Sequence, residues 1–563
     1  MDIISDRKLE KNILQWYPME KNLDTLQIGY IDAELVKQLC DKTRNVTILV
    51  QDEEEKQKIL QNSKRDNLKV KVVQDFENYS DNEYDYVTLI GTLKTFENKI
   101  EVKAYRRLEF FLKLAKKLCK ESGKIILVLD NKYGMKSWTT LKANKNIICN
   151  QTYALSQKLI NRLLEEQNLT EYKYYYVLPD YKATNAIFTD AYLPNLESIN
   201  RNFLYGEEEF ENFNQTEAYI ELLKEEKQSF KFFANSYFVE IGKSKLEPNG
   251  IQFVSYTNIR KEKYKIQTII YEDRVEKTYA NDMAKEHIQT IHKNIDIMNQ
   301  KNIKTLDKYE NDKIISKYIK DFDSYDKILT ELLEDKKEAE FFETITKYKN
   351  TLLEKLEQVD YDNIKENNVF TKYGVNVDEE MLQKLHFVKY GLWDLIFHNA
   401  FYINGEIYFY DQEWFDYNVP IEFIIYRAIA YFPIAHSYIR TNELYERLGL
   451  KEFLKIFEEL DSNIQLEIRD DEIWKLHTST RTGQTLFDLY KNLIAEFMEY
   501  KKIYNLSAIE EVSKISRENE QLKQEIERLN QEKERIYAST SWKVTKPVRW
   551  LGKNLKRGNT GGK

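Results

Sequence analysis

Residues Asp394 to Trp414, DLIFHNAFYINGEIYFYDQEW, set an aspartate, an asparagine five positions on, and a second aspartate twelve beyond that. Between the last two, apolar and polar residues alternate on either side of Asn404-Gly405. Asn-Gly is a strong signal for a type I′ turn, in which both central residues take positive φ. The stretch therefore predicts a small hairpin with Asn399 at its entrance and Asp411 at its exit. Asp394, Asn399 and Asp411 offer a carboxylate, an amide and a carboxylate, a hard-oxygen set suited to magnesium. What such a set would do depends on what the rest of the chain supplies.

Upstream, from about residue 246, IQFVSYTNIR, KYKIQTIIYED and RVEKTYA read as three consecutive antiparallel strands with polar turns. The helical pattern NDMAKEHIQTIHKNI follows, so Lys277 lies on the third strand and Glu286 nine residues later on the helix. DKIISKYIKDFDSYDKIL then runs a strand into a polar hinge, and long helical patterns occupy 330–360. Kinase-like enzymes place a strand lysine on the nucleotide phosphates and steady it with a helix glutamate. Their catalytic aspartate accepts the acceptor hydroxyl's proton, an asparagine five residues later binds magnesium, and a second aspartate bridges metal and phosphates. Lys277, Glu286, Asp394, Asn399 and Asp411 occur in that order. The pattern also departs from that scheme. Leu392-Trp393 stand where a His-Arg pair is usual, Gln412-Glu413-Trp414 follow the second aspartate, and TNIRKEKYK replaces a glycine-rich loop. The competing reading makes the three side chains cap and turn residues and Lys277 an ordinary strand lysine. His398 is expected as a structural neighbour of Asn399 and not as a base.

Residues 1–245 alternate short apolar runs (Thr25–Ile28, VTILV, VKVV, YDYVTLI, KIILVL) with helical patterns such as RRLEFFLKLAKKLC. This alternation predicts a doubly wound parallel sheet that binds ligands at its carboxyl edge. Two later runs, YKYYYVL and FKFFANSYFVEI, read as closing strands, in the manner of class I methyltransferases. The cofactor loop is altered. Where such a fold needs several glycines to bring backbone close to S-adenosylmethionine, the sequence is Gln27-Ile28-Gly29-Tyr30-Ile31-Asp32-Ala33. Only Gly29 remains, Tyr30 and Ile31 add bulk, and Gln51 takes the ribose-binding acid's place with Asp52 beside it as a substitute.

LDNKYGMKSW (129–138), YYYVLPDYKATNAIFTDAYLPN (174–195) and, in the second half, DQEW resemble bifunctional methyltransferase–kinases of bacterial surface-polysaccharide synthesis, the O-antigen chain terminators. The resemblance implies a Rossmann-like class I methyltransferase fold at 1–245 with a degenerate cofactor loop. It implies a bilobal kinase-like fold at 246–505, nearer sugar and aminoglycoside kinases than protein kinases. ATP and magnesium are the implied cofactors of the second domain, with S-adenosylmethionine the implied cofactor of the first. The implied partners are a nascent or lipid-linked surface glycan and glycosyltransferases.

The remainder reads as a tail. Val512, Asn519, Ile526 and Lys533 at a positions alternate with Ile515, Leu522, Leu529 and Ile536 at d, predicting a coiled coil over 506–537 that forms a dimer or trimer. Residues 538–563 carry five lysines and two arginines, no acidic residue, and Trp542 and Trp550, a composition suited to an anionic membrane surface. The net charge of −8 argues against a nucleic-acid partner for the body of the chain. Cys40, Cys119 and Cys149 match neither metal-ligand spacing nor a disulfide framework. The N-terminus lacks an apolar signal region. The expectation is a multidomain α/β plus α+β protein, cytoplasmic and peripheral at the inner face of the membrane. It would phosphorylate a glycan hydroxyl. The alternatives are a methyltransferase with a degenerate kinase domain, and a non-catalytic scaffold.

Overall fold

The computed structural model describes residues 9–470 apart from 82, 98–102, 140–152, 196–197, 200–214, 321 and 433–440, together with residues 523 and 528. The chain divides into two compact units, Met1–Gly483 and Gln484–Lys563. Of the second, Lys523 and Arg528 are described, both helical. The heptads at 506–537 and the basic tail at 538–563 otherwise lie outside the described residues, as does Cys149.

In the first unit β1 (Asp24–Ile28), β2 (Asn45–Val50), β3 (Leu68–Val72), β4 (Tyr84–Ile90) and β5 (Cys119–Asp130) run parallel. Helices α1 (Ala33–Lys42), α2 (Glu53–Asn62), α3 (Ala104–Leu118) and α4 (Gln157–Glu166) connect and flank them. Continuous apolar runs are what strands covered on both faces require. Along β5, Ile125, Leu127 and Leu129 enter one core while Ile126 and Val128 enter the other, the two-residue period of a strand. β6 (Glu171–Leu178) and β8 (Ser236–Gly242) complete this half, with β8 antiparallel between β5 and β6. The order β3-β2-β1-β4-β5-β8-β6 is the Rossmann-like, methyltransferase-like sheet that the sequence predicts.

FKFFANSYFVEI does not form the single strand its pattern predicts. Phe230–Phe233 is a helical turn, and β8 begins at Ser236. Asn131 explains the break, because its Nδ2 donates to the carbonyls of Phe232 and Ala234 at 2.7 and 2.8 Å and draws them out of a ladder. Phe230 then turns fully into the core against Phe188 and Tyr219.

The three-residue strand β7 (Ala186–Phe188) pairs with β6 on one side and β9 (Ile251–Tyr256) on the other. Beyond β9 come β10 (Ile266–Tyr271), β11 (Arg274–Tyr279), β13 (Lys313–Lys317) and β12 (Asp307–Glu310), all antiparallel. Thirteen strands thus form one sheet across residue 245. Helix α5 (Lys285–Gln300) lays Ile288, Ile291 and Ile295 on Ile266 and Ile314.

Past β13 the chain builds a helical body from α6 (Tyr325–Glu334), α7 (Glu338–Lys355), α8 (Ile421–Ala430) and α9 (Leu454–Ile468) around Leu329, Phe341, Tyr348, Ile424 and Phe457. A small sheet of β14 (Gln358–Val359), β15 (Phe387–Gly391) and β18 (Asp416–Pro420) packs on it. The hairpin of β16 (Ala400–Ile403) and β17 (Glu406–Phe409) turns at Asn404 and Gly405 with φ of 51° and 88°, as a type I′ turn demands.

Gly391 ends β15 three residues before Asp394, and a β-carbon there would coincide with the Val419 side chain on β18. Gly391→Ala should therefore lower stability by about 1–3 kcal/mol. Adding Val419→Ala should recover part of the loss. A double-mutant cycle by thermal melting checks this, and additive effects would disprove the contact.

Candidate functional site

At the carboxyl edge of the parallel strands, Gly29 follows β1 with φ of 95° and Gly91 follows β4 with φ of 62°. Both glycines are covered. A β-carbon on Gly29 would lie 3.2 Å from Phe96 Cε2, and one on Gly91 the same distance from the Tyr181 hydroxyl oxygen. Tyr181 and Phe96 are buried, and burial pushes the Tyr181 phenol well up. Gln27 sits beneath, accepting from Thr88 Oγ1 at 2.6 Å and donating to the carbonyls of Ile28 and Gly29 at 2.9 and 3.2 Å.

Ile31 turns into the core, while half-buried Tyr30 lies under the Lys58 ammonium at 5.0 Å. Asp52, the expected substitute for a ribose acid, caps α2 by accepting from the Glu55 N–H at 2.9 Å. A carboxylate that close to its own helix start finds an orphan backbone donor before it finds a ligand. Gln51 keeps its Oε1 buried without a donor. Gly29 is the one glycine of the loop after β1, and Tyr30 and Ile31 follow it directly.

The second site lies where the β16–β17 hairpin meets the sheet. Asp394, Asn399 and Asp411 line one cavity of about 270 Å³, with Arg260, Trp393 and Glu413. Asp394 follows β15 in a tight turn whose carbonyl accepts from Ile396 N–H at 2.7 Å, from Gln412 Nε2 at 2.8 Å and from Asn399 Nδ2 at 3.3 Å. Three donors on one carbonyl fix the catalytic candidate to both ends of the hairpin. Asp411 holds φ of 59°, a strained conformation for a residue with a β-carbon. Its N–H donates at 2.8 Å to Asp307, a buried carboxylate on β12 that Ser316 also engages. Lys277, on β11, reaches across and pairs with Asp411, with Glu413 at 3.7 Å.

Lys277 does not meet Glu286. The buried face of α5 is His287, Ile288, Ile291, Asn294, Ile295 and Met298, and Glu286, about 100° away from His287 around the helix, is exposed. The inward neighbour His287 contacts Glu413 instead, at 3.3 Å. Glu413, which the sequence presents only as a departure from pattern, is the hub. Burial pushes its carboxyl up, but Arg260, His287 and Lys277 outweigh that and hold it well below the usual range. His398 sits against Asp326 at 3.1 Å, outside the cavity lining.

Asp394 is buried, and desolvation raises its carboxyl to about 6 against the opposing pull of Arg427. Arg427 Nη2 lies 3.2 Å from Asp394 Oδ1, Nε donates to the Trp393 carbonyl, and Nη1 pairs with Asp461. Sequence reasoning passed over Arg427. Its signal was there, since IEFIIYRAIA is otherwise almost wholly apolar and a buried arginine must have partners. Among the described residues no cluster of three His, Cys, Asp or Glu side chains is disposed to hold a metal. Asn399 and Asp411 bring an amide and a carboxylate to one cavity, and the carboxylate is engaged by Lys277.

No family model matches the chain, and no curated protein does. Solved structures resemble parts of it. The N-methyltransferase NodS from Bradyrhizobium japonicum aligns at 12% identity, with a TM-score of 0.22, over 29% of this chain and 83% of its own. A SAM-dependent methyltransferase from Thermotoga maritima aligns at 10%, with a TM-score of 0.28, over 43% and 92%. DhpI, solved with S-adenosylhomocysteine, aligns at 11%, with a TM-score of 0.23, over 42% and 83%. The Rossmann-like assignment rests on the strand order itself.

The raised carboxyl of Asp394 gives a stability signature. Its folded value lies above the unfolded 3.8, so the folded state favours the protonated form. The contribution is fully present below the unfolded value and is lost as pH rises through about 6. Relative to wild type, Asp394→Asn should gain about 2–3 kcal/mol of stability on going from pH 4 to pH 7. Melting curves of both proteins across that range check it. A pH-independent difference would mean that Asp394 titrates normally.

Proposed function

We propose that the cavity beside the hairpin is the catalytic centre of an ATP- and magnesium-dependent phosphotransferase acting on a hydroxyl of a nascent or lipid-linked surface glycan. The observation that carries this reading is the meeting of Asp394, Asn399 and Asp411 on one cavity with Lys277 reaching in from the facing sheet. Asp394, with its carboxyl raised to about 6, is ionised at neutral pH yet basic enough to accept the acceptor hydroxyl's proton. Asn399 and Asp411 would hold the metal, which when bound neutralises charge on phosphate oxygens. Lys277 supplies a phosphate-binding ammonium, and Arg427 keeps the base aimed and ionised.

The Rossmann-like half serves to position the acceptor and methylates weakly or not at all, because its loop after β1 keeps one glycine, Gly29, and sets the bulk of Tyr30 and Ile31 beside it. Membrane attachment falls to residues 538–563 and self-association to 506–537. Among the described residues no helix is long and apolar enough to cross a membrane. One observation favours a second reading, a non-catalytic scaffold. Lys277, Asp411, Glu413 and Arg260 already satisfy one another in a closed ion-pair network.

ATP with magnesium should raise the melting temperature, because a ligand that binds only the folded state stabilises it. Asp411→Ala should abolish the shift, whereas Asp394→Asn should keep it and lose phosphoryl transfer. Transfer should also fall tenfold per pH unit below about 6, as Asp394 takes up its proton. Absence of any nucleotide-dependent shift in the wild type would return the scaffold reading. Calorimetry with S-adenosylmethionine should show weak binding or none, and low-micromolar affinity would restore the methyltransferase reading.

A further inference from the structure

A second cavity, of about 340 Å³, opens on the other side of the hairpin, between β16–β17, α6 and α7. It shares no lining residue with the site described above. Its volume falls in the range of small-molecule pockets, about 300–1,000 Å³. Ile328 of α6, Leu352 of α7 and Phe409 of β17 supply an apolar floor. Three lysines join them in the lining, Lys304, Lys347 and Lys355, against a single carboxylate, Glu406.

In a chain of net charge −8 this is a local reversal of sign. Lys355 donates to the Asn302 carbonyl at 2.7 Å, which leaves its charge unneutralised. Lys304 and Lys347 form no ion pair among the described residues. Elsewhere the lysines of these elements do find carboxylates, as Lys327 of α6 does with Asp323 and Lys349 of α7 with Glu422. An apolar floor under unmatched positive charge is complementary to one kind of molecule, a hydrocarbon chain ending in an anion.

We propose that this pocket binds a single-chain amphipathic anion, an alkyl or isoprenyl phosphate, with the chain on Ile328, Leu352 and Phe409 and the phosphate among the three lysines. The chain would displace water from apolar surface, and the phosphate would take ammonium donors that otherwise stay in solvent. The same chemistry can come from a membrane lipid or from a soluble phosphate ester.

The test is calorimetric titration of the full chain with alkyl phosphates below their micelle concentrations. Decyl phosphate should bind saturably at one site, and each methylene added from hexyl to decyl should tighten binding roughly fourfold. Inorganic phosphate, which lacks the chain, and decyl maltoside, which lacks the charge, should each bind at least tenfold more weakly. The double substitution Lys304→Gln, Lys347→Gln should weaken decyl phosphate about tenfold with an unchanged melting temperature. Ile328→Trp, which fills the pocket, should remove binding while the magnesium–ATP melting shift persists. Equal affinity of wild type and the lysine variant, or no dependence on chain length, would overturn the proposal. Competition by phosphatidylglycerol-containing vesicles separates the sources. Displacement of decyl phosphate supports a membrane lipid as occupant, and persistence supports a soluble phosphate ester.

Discussion

Charges withdrawn from water need partners, and the centre of this molecule is arranged around that requirement. Lys277, Arg260, His287 and the pair Asp411 and Glu413 come from four separate stretches of chain, yet each completes another's electrostatic needs. A lone buried carboxylate would cost several kcal/mol. The network therefore fixes the antiparallel strands, α5 and the segment after the hairpin relative to one another. Asp411 tolerates its left-handed backbone because Asp307 takes its N–H and Lys277 its side chain. Glu413 touches Arg260, Lys277 and His287, so it is the member on which most of the network depends.

A second set, Arg427 with Asp394 and Asp461, does the same for the opposite wall of the cavity. The two sets differ in outcome. Glu413 is surrounded by cations and stays ionised, while Asp394 shares one arginine with Asp461 and is more desolvated than compensated. Neighbouring carboxylates pushed in opposite directions are a mark of sites built for chemistry, though ion-pair networks of purely structural purpose do the same. The Rossmann-like half shows the reverse. Its glycines keep their positive φ, but the aromatic rings of Phe96 and Tyr181 pack beside them, and among the described residues no pair of opposed carboxylates accompanies them.

Much of the architecture was legible in the sequence because it rests on periodicity. The parallel strands, the hairpin at Asn404-Gly405 and the helices within 330–360 all follow from local apolar spacing and turn chemistry. What misled was local too. FKFFANSYFVEI has a strand's composition, and only the distant Asn131 shows why its first half cannot join a ladder. Asp52 looked like a ligand residue because spacing cannot tell a free carboxylate from one that caps its own helix.

The sequence by itself determined the parallel strands, the three antiparallel strands after residue 246, the hairpin at Asn404-Gly405, and the candidacy of Lys277, Asp394, Asn399 and Asp411. Periodicity and spacing are properties of neighbours along the chain, and those features need nothing more. Only the tertiary structure decided that β7, three residues long, welds the halves into one sheet, since strand pairing joins positions far apart in sequence. It also decided that Lys277 meets Asp411 and Glu413 and not Glu286, because one step along a helix turns a side chain by about 100°. The partner of a buried charge is chosen by distance in space, and no one-dimensional spacing encodes that.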